Sequence, residues 1–243
     1  MKEIKIIIVG AGGRGTLFAD YFFDNPGKAK VVAVAEPRQH WRNQMAQKHN
    51  IPIQNVFSDW KEIAKRRKFA DAVLIATPDQ MHVEPAKAFA KKGYHLLLEK
   101  PMAPTEQGCR QIVQAVTDNK ILCVVCHCLR YTDYTRKLKE IIGAGAIGRL
   151  VSIQHLEPIG YWHFAHGFVR GSFANSEKSS CMLLQKSCHD LDWIRYIMGV
   201  PCIAVSSFGN LLHFQKLNKP DGAGNRCLDC PIESKCPYSA IKF

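Results

Sequence analysis

Long apolar runs are missing from this chain of 243 residues. None approaches the ~18–20 consecutive apolar residues that a membrane span requires, so no span is expected. The opening apolar stretch, Ile6 to Val9, is too short for a secretory leader and runs straight into glycines, which points to a cytoplasmic protein. Internal repeats and low-complexity tracts are also missing, which excludes solenoid and collagen-like classes and disorder. Acidic residues are few: 21 Asp+Glu stand against 33 Lys+Arg, for a formal net charge of +12. The excess is spread out, with 19 basic and 12 acidic residues in positions 1–120 and 14 and 9 in the remainder. Nucleic acid is therefore not expected as a partner, because such binding gathers its charge into a patch or tail. What remains is ample: 47% hydrophobic residues, enough for a real core in one to two domains of about 150 residues each. Ten cysteines, met without a leader, are expected to be mostly free thiols.

The first 126 residues alternate short apolar runs with amphipathic stretches, as a parallel sheet built from repeated strand and helix units does. Strands are predicted at Lys5–Val9, Lys30–Ala35, Ala72–Ala76, His95–Leu98 and Ile121–Val125, rich in Ile, Val and Leu as strands covered on both faces should be. Helices are predicted between them, with Asp59 and Thr105 as caps and Gly93 as a stop. After Cys126 the texture shifts to longer loops and more aromatics, so a second domain is placed at 127–243. Helices are predicted there at Tyr134–Ile142 and at His189–Met198, closed by Gly199, and strands at Leu150–Glu157 and Ile203–Phe208.

Directly after the first strand and before a helical pattern, Gly10, Gly12 and Gly15 form a GxGxxG motif, with Gly13 and Arg14 inside it. The first glycine permits a tight turn, the second lets backbone approach a pyrophosphate, and the third packs helix against strand. The helix start offers its free amides to phosphates. Glu36, at the end of the second strand, is suited to accept hydrogen bonds from both hydroxyls of an adenosine ribose and to repel a 2′-phosphate. NAD is therefore the expected cofactor, with Arg38 leaving NADP open. The first domain, residues 1–126, reads as a Rossmann doubly wound parallel sheet.

Glu99, Lys100 and Pro101 follow the strand His95–Leu98, at the sheet edge where open parallel sheets bind ligands. A lysine there can hold a ribose hydroxyl and place positive charge near a forming alkoxide; equally, it can serve as a surface ion pair with Glu99. Thr77, Pro78 and His82 follow Ala72–Ala76 in the same way and are candidate cofactor contacts. His189 is the candidate general acid/base, since an imidazole titrates near working pH. Gln185, four residues earlier, shares its face if that segment is helical.

The Gly10–Gly15 turn, the Ala76–His82 turn, Glu99-Lys100-Pro101 and the run Lys186 to Asp192 occur in an order that resembles the Gfo/Idh/MocA oxidoreductases. The resemblance implies a dinucleotide-binding domain followed by an α+β domain with a large open sheet that often mediates homo-oligomerisation. It also implies NAD(P)-dependent hydride transfer at a secondary alcohol of a sugar, cyclitol or related polyol, with Lys100 and His189 in the catalytic positions. Many members have an aspartate four residues before the histidine, where this chain has Gln185, which orients a hydroxyl but accepts no proton. Members are also longer, so the second domain is expected to be truncated. Two alternatives stand beside the dehydrogenase: a nucleotide-binding regulatory or catalytically impaired member, and an NAD-dependent glycosidase that oxidises its substrate transiently.

Arg130, Trp162, His163 and Arg170 lie on segments suited to stacking on a sugar and binding its hydroxyls, or to ordinary interdomain packing. Finally, Cys227, Cys230 and Cys236 read CxxCx5C, a spacing compatible with zinc or an iron–sulfur cluster, or with a loop of reduced thiols. Three ligands fall short of the usual four, leaving Cys202, Cys188 or His213 to complete a set.

Overall fold

A computed structural model describes residues 2–242. The chain divides into two compact units between His127 and Cys128. The first alternates strand and helix: β1 (Ile4–Val9), α1 (Gly13–Asp24), β2 (Ala29–Ala35), α2 (Gln39–Lys48), β3 (Val56–Phe57), α3 (Trp60–Lys65), β4 (Ala72–Ile75), α4 (Val83–Lys91), β5 (His95–Leu98), α5 (Glu106–Asp118) and β6 (Cys123–Val125). The six strands form one sheet in the order β3-β2-β1-β4-β5-β6, with every neighbouring pair parallel. Successive strand side chains point to opposite faces, and β1 shows the consequence. Ile7 and Val9 join the core under α3, α4 and α5, with Ile63, Phe89 and Ile112, while Ile6 and Ile8 join the core under α1 and α2, with Ala19 and Met45. Covering both faces makes the strands nearly continuous in apolar residues. The predicted caps form: Asp59 and Glu62 make a capping box on α3, Thr105 Oγ1 accepts from Gly108 N at 3.1 Å on α5, and Gly93 turns the chain after α4 at φ +76°.

This order places the reversal of winding between β1 and β4. Chain leaving β1 turns to one side of the sheet, chain leaving β4 to the other, and their carboxyl ends leave a crevice where open sheets of this kind bind ligands.

The second unit holds α6 (Asp133–Gly143), α7 (Tyr161–Phe164), continued by a π-helical turn over Ala165–Val169, and α8 (Met182–Met198), ended by Gly199 at φ +71°. α8 therefore starts seven residues before the predicted His189, and Gln185 and His189 do lie one turn apart on it. The strands predicted at Leu150–Glu157 and Ile203–Phe208 do not form: among the described residues beyond 127 there is no strand. A strand exists only as part of a hydrogen-bonded ladder. Neither segment finds a partner, and Ile203 and Phe208 are 97% and 96% exposed. No helix among the described residues is long and apolar enough to cross a membrane.

Candidate functional site

At the crevice of the first unit, chain geometry forces the glycines. Gly10 lies at φ +91°, and a Cβ there would stand 2.7 Å from the Ala76 carbonyl oxygen at the end of β4. Gly15, in the first turn of α1, is closer still: a Cβ would fall 1.9 Å from the Gly10 carbonyl oxygen. Gly12 is the N-cap residue of α1 and supplies no side-chain cap; the first turn carries no acid. The helix start thus has no N-cap side chain and no first-turn acid of its own, the arrangement that suits a bound phosphate.

Glu36 is buried and fully engaged. Its Oε2 accepts from Ala11 N at 2.8 Å and Arg38 Nη2 at 3.1 Å, and its Oε1 from Arg38 N at 3.0 Å and Arg38 Nε at 2.7 Å. Burial raises the carboxyl pKa, but these donors outweigh it and hold the group below its ordinary 4.5. The predicted ribose acceptor is therefore also a clamp, tying the glycine turn to β2, and Arg38 sits where it meets any group reaching Glu36. The clamp's contribution to stability is present above the ordinary carboxylate pKa and is lost as pH falls through the lowered one. Melting temperatures between pH 6 and pH 3 are expected to fall more steeply for the native protein than for Glu36→Gln, which has no such group to titrate.

Glu99 makes the second link. Arg14 Nε on α1 donates to its Oε1 at 2.7 Å, and Lys100 N donates to its Oε2 at 2.9 Å. Glu99 is thus paired with Arg14. The Lys100–Pro101 peptide is cis. His82, predicted as a cofactor contact, is 1% exposed, with Nδ1 3.0 Å from the Pro101 carbonyl oxygen and Nε2 2.9 Å from that of Thr77. The ring thus lies between two carbonyl oxygens and links the Thr77–Pro78 turn to the Lys100–Pro101 turn.

In the second unit, α8 carries a polar stripe. Gln185 and Asp190 are buried, and His189 is half-buried. Arg130, a candidate substrate contact, holds Asp192 in a two-pronged pair at 2.6 and 2.5 Å, with its guanidinium over the Tyr196 ring. That hydrogen-bonded carboxylate raises the Arg130 pKa against the opposing effect of burial. Arg170 is likewise engaged, with Cys227 Sγ at 3.2 Å and with the Tyr238 carbonyl. On α7 and its π-turn the aromatics split: Phe164 stacks on Phe214 at 5.2 Å, while Tyr161 and Trp162 stay half-exposed, with Trp162 edge-on to His163 at 5.3 Å.

Among the described residues, the thiols of Cys227, Cys230 and Cys236, the candidate metal ligands, do not converge on one another as a ligand set. All ten cysteines are free thiols. Cys227 Sγ faces Arg170, Cys230 Sγ accepts from Gly224 N at 3.3 Å, and short helical turns at Cys227–Asp229 and Glu233–Lys235 divide the motif. Among the described residues, the metal-ligating side chains that converge are His155, Glu157 and Asp190, whose donor atoms lie within 4.8 Å of one another. Sequence reasoning missed the first two. Their i, i+2 spacing in a predicted strand, putting two metal-capable groups on one face, was the available signal.

A doubly wound parallel sheet with a glycine-lined crevice at its switch point and an acid at the end of β2 defines a dinucleotide-binding fold. The Gfo/Idh/MocA family model, an oxidoreductase family with an NAD-binding Rossmann fold, matches residues 4–127, and the chain belongs to this family. Scyllo-inositol 2-dehydrogenase (NAD(+)) of Bacillus subtilis is 26% identical over 215 residues, covering 87% of this chain and 58% of that protein. The 2,7-anhydro-N-acetylneuraminate hydratase of Mediterraneibacter gnavus is 25% identical over 219 residues, covering 88% and 54%. Among solved structures, scyllo-inositol dehydrogenase from Lactobacillus casei with bound NAD(H) and scyllo-inositol superposes with a TM-score of 0.69 at 25% identity, covering 82% of this chain and 57% of that one. The chain thus spans about half the length of the relatives it matches.

Proposed function

We propose that this chain serves an NAD-dependent oxidoreductase acting on a secondary alcohol of a sugar, cyclitol or related polyol. The observation that carries the reading is the Gly10–Gly15 cradle at the β1/β4 switch point, which a Cβ at either glycine would fill. Those residues fit a dinucleotide: the α1 amides and the Gly12 and Gly13 backbone would hold the pyrophosphate, and Glu36 with Arg38 would meet the adenosine ribose. When bound, the nicotinamide supplies the hydride acceptor or donor. Lys100, at the carboxyl end of β5, would bind a hydroxyl and stabilise negative charge developing on the reacting oxygen. His189, half-buried on α8, would hold or release the alcohol proton, with Gln185 orienting a hydroxyl but accepting no proton. Exposed Trp162 offers a stacking face for a sugar ring, with His163 beside it.

The similarity to a hydratase favours one second reading, in which transient oxidation of the substrate permits elimination at a neighbouring carbon and the cofactor is restored within the turnover. A polyol and sugar panel with NAD and NADP, read by NADH absorbance and by product analysis, separates the two. Net NADH formation supports the dehydrogenase; product without net NADH supports the second reading; binding of cofactor with no product from any substrate overturns both.

Cofactor choice rests on the Glu36–Arg38 pair. Removing the guanidinium frees two acceptor positions on the Glu36 carboxylate, which would then favour a ribose hydroxyl over a 2′-phosphate. Arg38→Ala is therefore expected to raise the preference for NADH over NADPH by about tenfold or more, the worth of one charge-assisted contact of ~1.5–3 kcal/mol. Fluorescence titration with both reduced cofactors measures it, and an unchanged ratio removes Arg38 from the site.

A further inference from the structure

His155, Glu157 and Asp190 form a side-chain cluster to which neither the nucleotide site nor the proposed hydride chemistry assigns a role. Asp190 is fixed on α8 and is 5% exposed. Its Oδ1 lies 2.7 Å from His155 Nε2, while its Oδ2 is buried with no hydrogen-bond partner. The His155 ring packs against Trp193, one helical turn after Asp190, at 5.3 Å between centroids and 32° between planes. A ligand atom of Glu157 lies within 4.8 Å of those of the other two. A buried carboxylate oxygen left without a donor is costly, and a second carboxylate beside it adds repulsion between like charges. One divalent cation would relieve both, because two carboxylates balance its charge and a neutral imidazole completes a face of one nitrogen and two oxygen donors. Such mixed imidazole and carboxylate sets suit zinc and manganese better than the all-oxygen preference of calcium or magnesium.

We infer that His155, Glu157 and Asp190 form a binding site for a divalent transition-metal ion, separate from the three cysteines. The inference does not depend on the proposed oxidoreductase activity, since the residues and the readout lie outside the nucleotide site.

Manganese(II) is the appropriate probe, because ten free thiols would compete for zinc while manganese favours oxygen and nitrogen donors. Titration of the full chain with manganese(II), followed by loss of the free-ion electron paramagnetic resonance signal, is expected to show one ion per chain. Asp190→Asn and Glu157→Gln each keep side-chain shape and remove one anionic ligand, and each is expected to weaken binding at least tenfold. Cys227→Ser is expected to bind as the native protein does. Circular dichroism spectra matching the native protein establish that both amide variants are folded; where Asp190→Asn fails to fold, Glu157→Gln, altered in an exposed side chain outside any helix, carries the test. Native binding that survives both substitutions, or a folded native chain that takes up no manganese at millimolar concentration, overturns the site.

Discussion

Gly15→Ala is expected to abolish dinucleotide binding and to destabilise the first unit. The new Cβ would stand 1.9 Å from the Gly10 carbonyl oxygen, less than two-thirds of any normal separation, and the atom it meets is backbone rather than the tip of a side chain. Relief requires α1 to move away from β1, which strips contacts from Ile8 and Ala19 in the core beneath it and shifts the amides of the helix start away from the crevice. Overpacking that displaces backbone costs ~3 kcal/mol or more, a large share of a domain's stability. Gly13→Ala is the matched control, for nothing lies within 4 Å of its Cβ position and it already adopts helical geometry. Alanine there is expected to stabilise the helix by ~0.5–1 kcal/mol. Thermal melting of the pair distinguishes a glycine turn under steric constraint from one that is merely flexible, and NADH fluorescence titration of Gly15→Ala reads the loss of binding. Native melting and native affinity in Gly15→Ala would contradict the geometry.

The same residues show why the nucleotide half was readable. Strands buried on both faces leave unbroken apolar runs, and the glycine motif, the Asp59 and Thr105 caps and the Gly93 stop are all local signals with a local cause. Only β3 escaped, because Val56–Phe57 is two residues long and exists by pairing with Val34 and Ala35, which are distant in sequence. The second unit fails by the same logic. Leu150–Glu157 and Ile203–Phe208 have strand composition, but composition supplies no ladder partner. The early start of α8 was hidden because its N-cap, Cys181, makes no side-chain cap, whereas its end is announced by Gly199 in the left-handed region.

Site residues divide along a similar line. Spacing could nominate Glu36, Glu99, Arg130 and His82, but not what they would be bonded to. Arg14 reaches Glu99 across 85 residues of sequence and Arg130 reaches Asp192 across 62. Such long-range partners give candidate ligands a bracing role within the chain as well. The pairing of His155 with Asp190, 35 residues apart, turns an otherwise unremarkable strand-like segment into a candidate metal site.

His189→Ala and Lys100→Ala are expected to have the largest effects on turnover, and to differ in how they lose it. Loss of a positioned acid/base costs about 10²–10⁴-fold in rate. Because the Gly10–Gly15 cradle, Glu36, Arg38 and Glu99 all belong to the first unit, His189→Ala on α8 is expected to retain native cofactor affinity while kcat falls by that factor. Lys100 stands within the first unit, at the end of β5 and one residue from the Glu99 clamp, so its role is expected to be double. Removing a cation that stabilises developing negative charge costs about 10²–10³-fold, and loss of its hydroxyl contact is expected to weaken cofactor binding as well, by up to about tenfold. His189→Asn, which keeps hydrogen-bonding capacity but cannot take a proton at neutral pH, separates proton transfer from positioning: it should be as slow as the alanine variant. Lys100 and His189 would both be wrongly assigned if turnover survived the two alanine substitutions, while a His189→Asn enzyme at native rate would leave the histidine a hydrogen-bonding role and require another residue to carry the proton.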